Sequence, residues 1–196
     1  QTAMQQSIRG EEAPGLFTWW SGPQLETLAK NGLLEDLTDM WPDYVTANGV
    51  SADIAESFTV DGKVYAVPYS IIYNTLIYNK NIFAKYNLEI PTTFEEFLTV
   101  CQTLKDNGVT PVALKNDSWA GFIWFQAMLA SYDPQLYQDV CDGTKPYTDE
   151  GVVTVMNQWK EMLDKGYFST PMTIQDMDKS LAAGTVAMEL EPNYEA

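Results

Sequence analysis

Histidine is absent from this 196-residue chain. That removes the commonest general base and the commonest metal ligand, and with them Ser-His and Cys-His mechanisms and most zinc sites. Basic residues are scarce: 11 Lys and Arg stand against 27 Asp and Glu, a formal net charge of −16. A nucleic-acid surface needs a basic patch, and anionic lipid repels an acidic chain, so neither is expected as a partner. The balance favours solubility and a neutral or cationic ligand. No apolar run approaches the roughly 18 residues that cross a bilayer. Phosphate loops, dinucleotide fingerprints, nucleophile elbows and metal-ligand spacings are also missing, so no cofactor and no metal is expected. The chain opens at Gln1 rather than Met and carries no signal peptide, which reads as a processed or cut-down chain. Cysteine is limited to Cys101 and Cys141. Cys101 sits in a helical stripe with Phe94, Phe97, Leu98 and Leu104 and reads as a core thiol, whereas Cys141 lies in the polar, loop-like stretch DVCDGTKPY. A bridge between them stays open at this level.

What is present in excess is aromatic. Six Trp, eleven Tyr and eight Phe make up 13% of a chain that is 45% hydrophobic, which supports a packed core and argues against disorder. Residues 14–22 read PGLFTWWSG. Adjacent residues on a strand point to opposite faces, so Trp19 and Trp20 cannot both be hidden easily. Either both rings fill one core, or one is a platform for a flat, partly apolar ligand.

Along the chain, TAMQQSIRG reads as the end of a helix stopped by Gly10, and APGLFTW as a short buried strand. Ser21 is placed to cap a helix that has Pro23 in its first turn, Leu25, Leu28 and Ala29 on its inner face and Gly32 beyond its end. Ser51 reads as a cap for ADIAESF, and Asp61-Gly62 as a hairpin turn between FTV and KVYAV. IIYNTLIYNK is β-rich. Thr93 and Glu96 form a capping-box pattern opening a helix over 94–106 that Gly108 closes. PVAL at 111–114 and TVAMEL at 185–190 read as strands, and SWAGFIWFQAMLASY as a loop that becomes a helix. Residues 150–165 form an amphipathic helix with Val152, Val153, Met156, Trp159, Met162 and Leu163 near one stripe, and 174–183 a further helix ended by Gly184. Strands alternating with helices give an α/β class without repeats. No Gly/Pro/Ser-rich linker interrupts it, so a division into lobes would run through ordered strands.

Aromatics recur at element ends: Trp19 and Trp20 after APGLFT, Trp119 after PVAL and Tyr194 after TVAMEL. In an open α/β sheet, ligands sit beyond the carboxyl ends of the strands, so these ends suggest one shared cleft. Aromatic faces suit pyranose rings, with polar side chains taking the hydroxyls. Acids are also plentiful. Asp117 with Glu189 or Glu191 could act as the acid and base of a glycoside hydrolase, although most of the 27 acids must simply be solvated.

Four segments in order carry a resemblance: APGLFTWWSGPQLETLAKNGLLEDLT, DGKVYAVPYSIIYNTLIYNKNIF, IPTTFEEFLTVCQTLKDNGVTPVAL and GTVAMEL. They are similar to the extracellular solute-binding proteins of ABC sugar importers (family 1, maltose-binding-protein-like). The resemblance implies a two-lobe, type II periplasmic-binding-protein-like fold, of which this chain is a middle segment. Part of lobe one would span 1–69, a hinge strand 70–74 and most of lobe two 75–196. It implies an extracytoplasmic or lipid-anchored monomer that closes about its hinge on a sugar or oligosaccharide and delivers it to membrane permease subunits. By the same resemblance, Trp19, Trp20, Tyr73, Asn74, Asp117, Trp119 and Tyr194 are ligand-binding candidates. Trp19 and Tyr194 fall where maltose-binding members hold sugar with Trp, and Trp124 matches a Trp of the following helix and reads as core. Four positions depart from that pattern: Gly22 stands where a carboxylate is used, Ile72 where a hinge Glu is used, Trp119 at an acidic contact and Gly121 at an aromatic one. Tyr73 or Asn74 would take over for the hinge Glu. Maltose itself is therefore not implied, and the same fold binding a polyamine or peptide remains an alternative.

Overall fold

The computed structural model describes Ser7, Ile8, Gly10 and residues 13–116 and 120–192. The chain divides into two compact units, Gln1–Ile71 and Ile72–Ala196.

The first unit contains helix α1, Pro23–Lys30. Pro23 occupies the first turn, where a missing N–H is harmless, and Leu25, Leu28 and Ala29 turn inward as their spacing predicts. Ser21 does not cap it: Gly22 holds the cap position, with φ 75° and no side-chain hydrogen bond. A run of tight turns follows over Thr38–Met40, Trp41–Val45, Thr46–Asn48 and Ala52–Phe58. Ser51 precedes the last of these, but its hydroxyl bonds Asp53 rather than a backbone amide. Strands β1 (Thr59–Val60) and β2 (Lys63–Val64) pair antiparallel across Asp61-Gly62. Both turn residues have positive φ, 50° and 80°, which explains the Asp-Gly choice. Trp41, Val45 and Val64 form a small core under this hairpin, with Phe58 packed on it. Asp36 accepts from the Thr38 amide at 3.0 Å and from its hydroxyl at 2.6 Å, while Lys63 lies 2.9 Å away, so the hairpin is tied to the turns.

APGLFTW is not a strand; residues 13–20 form no ladder, and the chain bends at Gly15 and Leu16. The apolar run was read as a buried strand, but a strand needs a hydrogen-bonded neighbour, and β1 and β2 pair only with each other.

The second unit is a three-stranded sheet flanked by helices. Its elements in order are β3 (Asn74–Tyr78), α2 (Lys80–Lys85), α3 (Phe94–Asp106), β4 (Thr110–Val112), α4 (Ala120–Tyr132), α5 (Pro134–Cys141), α6 (Glu150–Asp164), α7 (Ile174–Ala183) and β5 (Val186–Pro192). The strand order is β3-β5-β4, with β5 antiparallel to β3 and parallel to β4. Thr93 and Glu96 form the complete capping box at α3, Asn79 caps α2 and Gly184 ends α7 in the left-handed conformation. Leu104, Val112, Leu129, Val155 and Met188 lie at the centre of the core, fully buried. Cys101 is buried there as expected, its thiol pushed up to about 12 by burial.

Three expectations change in this unit. Cys141 is not in a loop but ends helix α5, which the sequence reading passed over although Asp133 caps it and Pro134 opens it. Both cysteines are free thiols. On α6 the buried face is Val152, Val155 and Met162, whereas Val153, Met156 and Leu163 are exposed. Finally, residues 70–73 carry no ladder, and the strand expected over IIYNTLIYNK starts only at Asn74.

Candidate functional site

The sheet of the second unit has one edge where chain ends collect. β4 and β5 are parallel, so both finish there, and antiparallel β3 starts there: Asn74 pairs with Pro192 and Thr75 with Glu191. Beyond β4, residues 112–116 are held on their far side by the chain that follows α6. Val112 donates to Tyr167 O at 3.0 Å, Leu114 to Ser169 Oγ at 2.9 Å and Asn116 to Met172 O at 2.9 Å.

Strand β5 is the middle strand and is buried nearly throughout. Such a strand normally reads as a continuous apolar run. Here Glu189 and Glu191 share one face of it and are only 3% and 1% exposed. Glu191 Oε2 lies 3.4 Å from Lys115 Nζ, and both side chains are buried. Glu189 has one carboxylate oxygen, Oε2, buried without a hydrogen-bond partner among the described residues. Burial, then the charges of Asp178 and Glu191, push its carboxyl up to about 7.

Two hollows among the described residues of this unit bear on this end of the sheet. A small one of about 10 Å³ is lined by Ala113, Lys115, Trp124, Met177 and Glu191, among others, and has room for about one water. A groove of about 640 Å³ runs past Asn74, Leu76, Phe94, Trp124 and Leu190. Trp124 borders both, is buried as a core residue and meets Phe168 edge-on at 5.0 Å.

In the first unit, Trp19 and Trp20 meet edge-to-face with ring centroids 5.5 Å apart, and Phe17 meets Trp19 the same way at 6.0 Å. Trp20 is 53% exposed, and the Trp19 indole N–H is buried without a hydrogen-bond partner among the described residues. Both rings therefore do not vanish into one core.

The sequence pattern of the bacterial extracellular solute-binding protein family matches residues 1–195. The chain belongs to this family. Among the relatives of this solute-binding chain, the osmoprotective compounds-binding protein GgtB of Synechocystis is 32% identical over 168 residues, covering 82% of this chain and 40% of its own. The diacetylchitobiose binding protein DasA of Streptomyces coelicolor is 29% identical over 125 residues, 63% of this chain and 29% of its own. The solved structure of the bacterial solute receptor AcbH superimposes with a TM-score of 0.82 at 24% identity, covering 99% of this chain and 49% of that one. The fold is thus that of periplasmic solute-binding proteins, and this chain spans about half the length, or less, of the relatives it matches.

The seven expected ligand residues of this solute-binding chain fall in three groups. Trp19 and Trp20 lie in the first unit. Tyr73 and Asn74 belong to the second, Tyr73 being 62% exposed and Asn74 bordering the larger groove. Asp117, Trp119 and Tyr194 lie outside the described residues. Of the acid–base pair considered from the sequence, Glu189 and Glu191 are buried in the sheet, and their partner Asp117 lies outside the described residues. The sequence reading missed Lys115, although its position directly after PVAL was a usable signal.

Proposed function

We propose that this chain is part of an extracytoplasmic receptor that captures a sugar or oligosaccharide between two lobes and hands it to an ABC importer. In this reading lobe one spans 1–69, the hinge 70–74 and most of lobe two 75–196. The ligand touches both lobes only in the closed form and so shifts the population towards it. Trp19 and Trp20 supply the stacking surface of lobe one, Tyr73 and Asn74 contacts from the hinge, and Asp117, Trp119 and Tyr194 the face of lobe two. No bond is made or broken in the ligand.

The observation that carries this reading is the edge-to-face Trp19–Trp20 pair with Trp20 half in solvent, in a chain whose family is one of solute receptors. An aromatic face held rigid by a second ring matches the C–H face of a pyranose. The name of DasA points to a chitin-derived disaccharide as one cargo to try, and that of GgtB to osmoprotective compounds.

The test is calorimetric titration of the intact protein with diacetylchitobiose, galactose, raffinose and malto-oligosaccharides, followed by analysis of the mixtures for cleavage. Saturable binding at micromolar or lower concentration with intact sugar is expected. Shortened sugars would replace this reading with a glycoside hydrolase. Silence across the panel, with binding of spermidine or a short peptide instead, would overturn the carbohydrate cargo and keep the receptor. The net charge of −16 makes a cation such as spermidine the next probe.

A further inference from the structure

We infer that Lys115 and Glu191 are positioning residues: their buried ion pair clamps the chain leaving β4 onto the end of β5 and so fixes the edge of the sheet that faces the ligand. The inference rests on the receptor reading above.

Three observations converge on it. First, the pair is long-range and desolvated, with Nζ and Oε2 3.4 Å apart and side chains 9% and 2% exposed. A buried pair of this kind contributes little net stability compared with apolar residues of the same volume, because desolvation offsets the attraction. What it can supply is register, since it ties together two segments that lie 76 residues apart in the chain. Second, the pair sits where the ladder has run out. β4 ends at Val112, and Ala113 makes the last backbone bond towards β5, to Met188 O at 2.8 Å. From Leu114 onward the backbone bonds run outward instead, to Ser169 and Met172. The side chain of Lys115 thus restores towards β5 a connection that the backbone has given up. Third, the partner on β5 lies at the edge itself, since Glu191 pairs with Thr75, one residue from the Asn74–Pro192 pair. The clamp therefore ties the segment after β4 to β5 at the residue that pairs with β3, beside Asn74.

A binding edge built from strand ends gains from such support, because a shift of a fraction of an ångström spoils a set of polar contacts. The hollow of about 10 Å³ beside the pair, lined by both side chains, has room for about one water.

The decisive variant is Lys115→Met combined with Glu191→Leu, which removes both charges and keeps the volume. Each single variant removes one member of the buried pair and serves only as a control for folding. Two readouts are taken on the intact protein: hydrogen exchange of peptides covering 112–116 and 189–192, and the dissociation constant for the panel sugar that wild type binds most tightly. We expect a melting temperature at or above that of wild type, exchange accelerated at least about tenfold in those peptides alone, and affinity weakened by about tenfold or more. Wild-type exchange in these peptides overturns the clamp. Faster exchange with unchanged affinity overturns its role in binding, as does a lowered melting temperature with unchanged affinity. If wild type binds no sugar, the carbohydrate reading fails, while the exchange measurement still decides the clamp.

Discussion

Asn74 lies directly opposite Pro192 across the antiparallel ladder of β3 and β5. This register brings the first residue of one strand and the last of another to the same edge of the sheet. The parallel pairing of β4 with β5 adds a third chain end, and the buried Lys115–Glu191 pair lies just beneath. The second unit thus offers a surface of chain ends over a charged, tightly packed floor.

Trp20→Ala is expected to weaken binding of the panel sugar by on the order of 2 kcal/mol, as for other aromatic anchors. Because Trp20 is 53% exposed, its melting temperature should stay close to wild type. Trp19→Ala should weaken binding as well and also lower the melting temperature, because Trp19 packs against both Phe17 and Trp20. Wild-type affinity in both variants would remove these rings from the site.

Glu189 makes stability depend on pH. Its carboxyl is raised from 4.5 to about 7 by burial and by the charges of Asp178 and Glu191, so the folded chain holds this proton more tightly than the unfolded one. Below about pH 4.5 both states are protonated and the site costs nothing. Between 4.5 and 7 the unfolded state ionises first, and stability falls as pH rises; above about 7 the whole penalty, on the order of 3 kcal/mol, is present. Glu189→Gln should flatten this part of the profile in denaturant titrations and be more stable than wild type at pH 8. A wild-type slope in the variant would assign the dependence to another group.

Asp36 should titrate abnormally low. The Thr38 hydroxyl, then Lys63 and the Thr38 amide, hold its carboxyl at about 2 rather than 3.8. Whatever stability this network supplies is present above pH 3.8 and is lost as pH falls towards 2. Carbon-detected NMR titration should find Asp36 ionised after most carboxylates have protonated, and Thr38→Val should move its midpoint upward. A normal midpoint in wild type would contradict the hydrogen-bonded geometry.

The two thiols should differ sharply in reactivity. Cys141 is exposed, whereas Cys101 is fully buried with its thiol pushed up to about 12. The thiolate is the reactive form, so a disulfide reagent should label one equivalent in native protein and two after unfolding. Rapid labelling of Cys101 in native protein would mean that the α3 core opens readily.

Local signals were legible in the sequence because their physics is local. The Thr93–Glu96 box, the Asp61-Gly62 turn and the Gly184 stop each satisfy backbone groups within a few residues, and each stands where the sequence puts it. The Asp133-Pro134 start of α5 was equally local and was simply overlooked. APGLFTW was misread because apolarity makes a segment suitable for a strand, while a strand exists only if another strand is there to pair with it. Helix α6 was misread at Val153, Met156 and Leu163 because periodicity marks a broad apolar face, and only the packing against it decides which part is covered.

The candidate site divides along the same line. The sequence by itself determined which chemistry was possible: no histidine, a strongly acidic balance, aromatics at element ends and family motifs in order. Only the tertiary structure decided that Glu189 and Glu191 are interior, and that Lys115, unremarkable in the sequence, is the cation beside one of them. The reason is that burial and pairing belong to neither residue alone. They arise when the middle strand of a sheet is covered on both faces, and no window of sequence contains the segments that cover it.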